Sequence, residues 1–142
     1  MEDPWRNLHT RVPEGPFKGL YTTEVKGEFI RTLASAIKQH EERGTRILFY
    51  PHCPACYLFS TMRPATPNLW GTCPETAMSY CTDYLKLPAS PRIVAHIKRL
   101  PRWSQGALSY EDDSGSTFAT LAKQDHHAVV QSSDFIVYEM NK

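Results

Sequence analysis

Residues 45–70 read TRILFYPHCPACYLFSTMRPATPNLW, and this stretch decides the fold class. Arg46-Ile47-Leu48-Phe49-Tyr50 is a short apolar run with the form of a buried strand. Pro51 stops it, and His52-Cys53-Pro54-Ala55-Cys56 forms the exit turn. Tyr57-Leu58-Phe59 then begins a brief helix, which Arg63-Pro64 and Pro67 break. In an open α/β sheet, ligands usually sit at the carboxyl ends of strands. The stretch brings two thiols, an imidazole, a tyrosine and an arginine to such an end, so the candidate chemistry centres here.

Upstream, Thr22-Thr23 offers an N-cap and Glu24 suits the first turn of a helix. Val25, Phe29, Ile30, Leu33, Ala34 and Ile37 follow at helical spacing, and Gly44 stands where a C-cap glycine belongs, predicting a helix over 24–43. Residues 1–22 carry Pro4, Pro13 and Pro16 without a period. They read as an extended lead-in, too apolar for a free tail, that lies partly across the domain. Residues 23–142 then form one α/β domain.

Downstream, Thr72 caps a second helix over 73–86, and Arg92–Ile97 reads as a second strand. A helix between two strands predicts a right-handed parallel βαβ crossover. Residues 98–116 read as a long surface loop with a short strand near Ala107-Leu108, followed by a short helix from Phe118 that ends before His126. Ala128–Gln131 and Phe135–Tyr138 form a hairpin around Ser132-Ser133-Asp134. The predicted fold is a single small α/β domain of about four strands, with a parallel βαβ core and a C-terminal antiparallel hairpin.

A chain of 142 residues, with 41% hydrophobic and 22% charged residues, suits one soluble core. A net charge of +1 gives no field that would suggest a nucleic-acid partner. There is no apolar run of membrane-spanning length and no signal pattern at the start. The expectation is either a cytoplasmic chain or a piece whose membrane segment lies elsewhere.

The pair Cys53 and Cys56, after a strand and before a helix, has the form of a thioredoxin-like redox couple. In that reading Cys53 is the nucleophile and Cys56 the resolving thiol. The short helix and the lack of a strand over 64–72 fit that fold poorly. A zinc module is another reading, with His52, Cys53, Cys56 and Cys73 as ligands, although no second tight pair follows. The plainest reading makes the cysteines small buried fillers, above all Cys81. His126-His127 reads as a solvated helix end, Glu111-Asp112-Asp113 as a loop face, and Arg99, Arg102 and Trp103 as a solvated loop. No phosphate-binding, dinucleotide or serine-nucleophile motif is present.

Three ordered components carry a resemblance. The first is Gly15-Pro16-Phe17-Lys18-Gly19-Leu20-Tyr21-Thr22-Thr23, then a helix, then Arg46–Pro51. The second is Cys53 through Pro67, and the third runs from Pro91-Arg92-Ile93-Val94 to His127–Val130 and Phe135–Tyr138. Together they resemble the water-soluble C-terminal domain of polytopic membrane glycosyltransferases of the protein-mannosyltransferase and aminoarabinose-transferase type. His126-His127 stands where that family usually has a tyrosine, and Cys53 and Cys56 are outside its pattern.

The resemblance implies a non-catalytic domain on the extracytoplasmic face that packs on the membrane-embedded part of the same protein. The catalytic acids and the lipid-phosphate sugar donor would belong to that part, and no cofactor is expected here. Tyr57, Arg63 and Tyr21 are the ligand-binding candidates, near lipid-linked sugar or acceptor. Arg63, held extended by Pro64, would clamp phosphate beside the strand ends, with Tyr57 opening the short helix. The opposing reading packs Tyr57 inward on Leu33 or Ile37 and pairs Arg63 with a surface acid.

Overall fold

The computed structural model describes residues 8–50, 53–65, 91–101, 107–109 and 123–142. The lead-in folds on itself. Strands β1 (Thr10–Arg11) and β2 (Tyr21–Thr22) pair antiparallel around a turn in which Gly15 and Gly19 take φ of 78° and 90°. Val12, inside this hairpin, is buried.

Helix α1 (Glu24–His40) starts at Thr23, whose side-chain oxygen accepts from the Lys26 N–H at 3.3 Å. Phe29, Leu33, Ala36 and Ile37 recur at helical spacing and are its buried stripe. The helix ends three residues earlier than the 24–43 expected, because Glu41 turns extended. Its carboxylate accepts from the Ser60 hydroxyl, the Thr61 N–H and the Thr61 hydroxyl at 3.2–3.3 Å. Gly44 is therefore not a helix cap. It turns the loop into the next strand at φ 89°, where a side chain would be strained.

Five strands form the main sheet: β3 (Arg46–Tyr50), β4 (Arg63–Pro64), β5 (Ile93–Ile97), β8 (His126–Gln131) and β9 (Phe135–Met140). Their order is β4-β3-β5-β9-β8. β3 runs parallel to both β4 and β5, while β9 is antiparallel to β5 and to β8. The sheet is mixed α/β, with the parallel core and C-terminal hairpin expected from the sequence and β4 added at its edge. A separate antiparallel pair joins β6 (Arg99–Pro101) to β7 (Ala107–Ser109). The short strand expected near Ala107-Leu108 is thus present, in a ribbon rather than a plain loop.

Every residue of β5 is buried, as a strand covered on both faces requires. On one face Ile47, Phe49, Ile93, Ala95, Ile97, Phe135 and Val137 pack with Phe29, Leu33 and Ile37 of α1. On the other, Leu48, Tyr50, Val94 and Tyr138 cluster with Ala65. The predicted helix over 73–86, Cys81, Arg102, Trp103 and Glu111–Asp113 lie outside the described residues. No helix among the described residues is long and apolar enough to cross a membrane.

Candidate functional site

The chain leaves β3 into a 3-10 helix, Pro54–Phe59, that begins one residue after Cys53. Cys53 and Cys56 are joined by a disulfide across this first turn, and the Cys56 N–H donates to the Cys53 carbonyl at 2.9 Å. Both cysteines are buried in the α1-side core, at 8% and 2% exposure. Two features of a redox nucleophile are therefore missing in this state. Six residues of 3-10 helix do not supply the aligned dipoles of an α-helix N-terminus, and a buried sulfur is shielded from a partner thiol. As zinc ligands the two are likewise occupied, since each sulfur is bonded to the other. His52 and Cys73 lie outside the described residues, among which no group of three or more metal-binding side chains gathers.

Tyr57 sits in the middle of the 3-10 helix rather than at the start of a helix. Its ring meets Phe49 edge-on, with centroids 4.8 Å apart, and its hydroxyl accepts from the Phe49 N–H at 3.2 Å. The reason lies in the sheet. Arg63 and Ala65 donate to the carbonyls of Thr45 and Ile47, so odd-numbered residues of β3 face β4. β4 stops at Pro64, and Phe49 is the next residue on that edge. Tyr57 supplies the acceptor that a longer β4 would have provided. Its ring packs inward against the core cluster that holds Phe49, Leu33 and Ile37, with Phe49 as its aromatic neighbour.

Arg63 is extended, as Pro64 requires, but it stands in register with Arg46 at the amino end of β3. The structure therefore does not bring Arg63 and Tyr57 together at the carboxyl ends of the strands. Tyr21 is exposed on β2, in the separate two-stranded sheet, and is gathered with neither.

Charged chemistry collects at the amino end of the parallel strands, which sequence reasoning missed. Arg92 donates through Nη2 to Glu139 Oε1 at 2.7 Å, and its Nε lies 2.8 Å from Glu42 Oε2. The second contact is ionic, because Nε lacks hydrogen-bond alignment. Glu139 Oε2 also meets His40 Nδ1 at 3.3 Å. These groups come from α1, its exit loop, the approach to β5 and the end of β9. No local spacing in the sequence connects them.

His126 corrects the expectation of a solvated helix end. Residues 123–125 are helical, but His126 opens β8 and is buried. Its Nε2–H donates to the Pro91 carbonyl at 2.7 Å, and its Nδ1 is buried without a partner. His127 is exposed, with Nδ1 2.8 Å from Asn141 Oδ1. Burial pushes the Tyr138 phenol up and the Lys26 amine down. A hydrogen bond and the charge of Arg31 hold Glu28 below the usual carboxylate range. None of these three is a candidate site residue.

A groove of about 740 Å³ lies between the lead-in and α1. Val12, Phe17, Ile30, Ala34 and Phe59 line it with charged side chains of both signs, and Phe17 meets Phe59 edge-on at 5.4 Å. The apolar residues of the lead-in were its only trace in the sequence. Comparison with protein-family models, with characterised proteins and with solved structures returned no match.

Proposed function

We propose that this chain is a non-catalytic accessory domain of a membrane glycosyltransferase that draws on a lipid-phosphate sugar donor. One observation carries the reading: the ordered stretches that resemble that family coincide with units of one fold. Gly15–Thr23 forms the turn, β2 and the cap of α1, Arg46–Tyr50 is β3, and Arg63-Pro64 is β4. Ile93-Val94 opens β5, and the last stretch is the β8–β9 hairpin. The Cys53–Cys56 disulfide adds support for an extracytoplasmic position, because such bonds persist in oxidising compartments. In this role the domain packs on the membrane-embedded part of the protein and helps shape access of acceptor or donor.

The test begins with the gene. Hydrophobic spans encoded upstream in frame, or on a partner chain that co-purifies, are expected. Deleting the domain should then lower sugar transfer by membranes while donor synthesis continues. A reading frame that opens at Met1, with no membrane partner recovered, overturns the proposal.

The Cys53–Cys56 pairing is the one observation behind a second reading, a thiol–disulfide oxidoreductase using Cys53 and Cys56, and the burial of both sulfurs counts against it. Reduction of insulin by the purified chain with a dithiol as electron source would support it. Unchanged turnover in Cys53→Ser would remove it.

A further inference from the structure

The edge of the main sheet carries an arrangement that stability alone disfavours. Arg46 and Arg63 are direct neighbours on parallel strands β3 and β4. Neighbours in register share a face, here the one bearing Leu48 and Ala65. Like charges set side by side in a sheet repel. Both arginines are exposed, and neither has an acidic or hydrogen-bonding partner for its side chain among the described residues. Arg43, in the turn that leads into β3, is exposed and unpaired in the same way.

The acids of this corner are committed elsewhere. Glu41 holds Ser60 and Thr61, Glu42 faces Arg92, and Glu139 is shared by Arg92 and His40. A chain with a formal net charge of only +1 therefore concentrates free guanidinium groups at one place.

Edge protection is the plainest use of charge on a terminal strand. It does not require two arginines in register, because a two-residue strand containing Pro64 already blocks further pairing. We propose that Arg46 and Arg63, with Arg43 beside them, form a binding site for a phosphate group. Strand neighbours stand about 4.8 Å apart, so two planar forks can converge on one tetrahedral anion. A phosphate offers three acceptor oxygens and a charge near two, enough for both forks. A carboxylate satisfies one. The backbone bonds from Arg63 and Ala65 to Thr45 and Ile47 fix the two Cα positions before any ligand arrives, which lowers the ordering cost of binding. The site lies at the amino ends of the strands and stands independently of the glycosyltransferase reading. Phosphate there could belong to a soluble ester or to a lipid headgroup, and the chemistry is the same.

The experiment titrates the isotope-labelled chain with inorganic phosphate, following backbone amide shifts. In parallel, it measures co-sedimentation with phosphatidylcholine vesicles, with and without phosphatidylglycerol. Saturable shifts confined to residues 43–46 and 62–65 identify a soluble phosphate ligand. Binding to the anionic vesicles alone identifies a headgroup. In either case Arg46→Gln or Arg63→Gln should weaken binding about tenfold, the loss of one charge-assisted contact. Lysine at either position should restore it only in part, because the fork is lost. Arg31→Gln on the exposed face of α1 is the control and should bind as the parent does. Absence of binding to both probes overturns the site. So does binding that Arg46→Gln/Arg63→Gln leaves unchanged while its amide spectrum stays folded.

Discussion

Replacing Tyr57 by phenylalanine removes one oxygen and tests the account of the sheet edge. The ring would keep its edge-on contact with Phe49, so the packing contribution is retained. Among the described contacts, what changes is the Phe49 N–H, which loses its 3.2 Å acceptor at the point where β4 has ended. A buried donor left without a partner costs about 1–3 kcal/mol. Tyr57 is only half-buried, so water can partly replace the hydroxyl, and the low end applies: about 1 kcal/mol. For a chain of 142 residues that corresponds to a fall in Tm of about 3 °C. Urea unfolding followed by circular dichroism should show the midpoint moving down by about 0.5 M with an unchanged slope. Tyr57→Ala, which loses the ring as well, should cost about 3 kcal/mol and calibrates the comparison. If Tyr57→Phe stays within about 0.5 kcal/mol of the parent, as a neutral surface substitution would, the hydroxyl does not complete the edge of β3.

The Cys53–Cys56 bond closes a very small ring, for which chain entropy gives about 2 kcal/mol. Cys53→Ser/Cys56→Ser, or dithiothreitol, should lower the melting temperature by that measure. Ready alkylation of both cysteines in the native protein, with identical melts, would count against a buried staple. Tyr138 is buried, and its phenol is pushed above the ordinary tyrosine value, so the folded state favours the neutral form. That stability is complete below the unfolded pKa and is lost as pH rises through the raised folded value. Spectrophotometric titration against Tyr138→Phe should assign a tyrosinate transition above the ordinary range to Tyr138, and a transition in the ordinary range would refute the shift.

Where burial followed a local period, the sequence was legible. β3 falls where the apolar run Arg46–Tyr50 placed it, and α1 begins at the Thr23 cap. The hairpin was read too short, as Ala128–Gln131 and Phe135–Tyr138, because both strands extend two residues at their open ends. Proline caused the clearest omission. Pro64 marks a break in most contexts, but on an outer strand its missing N–H can face away from the ladder, and Arg63-Pro64 forms β4. His126 was misplaced because its burial comes from pairing with Met140 and from the distant Pro91 carbonyl, not from an apolar pattern. The arginine pair proposed to bind phosphate was only half legible for the same physical reason, Arg63 alone being expected as a phosphate clamp. Arg63 was visible as an extended arginine, but its neighbour Arg46 was assigned only by the parallel register of β4 on β3. The expected pairing of Arg63 with Tyr57 assumed the wrong end of the strand.

The position of β5 also bears on how the protein is made. β5 pairs on one side with β3 and on the other with β9, which lies much later in the chain. During synthesis its second edge stays open until Met140 has left the ribosome. A strand buried on both faces, yet open along one edge, is a template for mispairing. The β8–β9 hairpin can close quickly, since its contacts are local. Its docking as a unit then shields β5. Nascent chains stalled before Phe135 should therefore be the aggregation-prone species, with chains that include the β8–β9 hairpin escaping once it has docked.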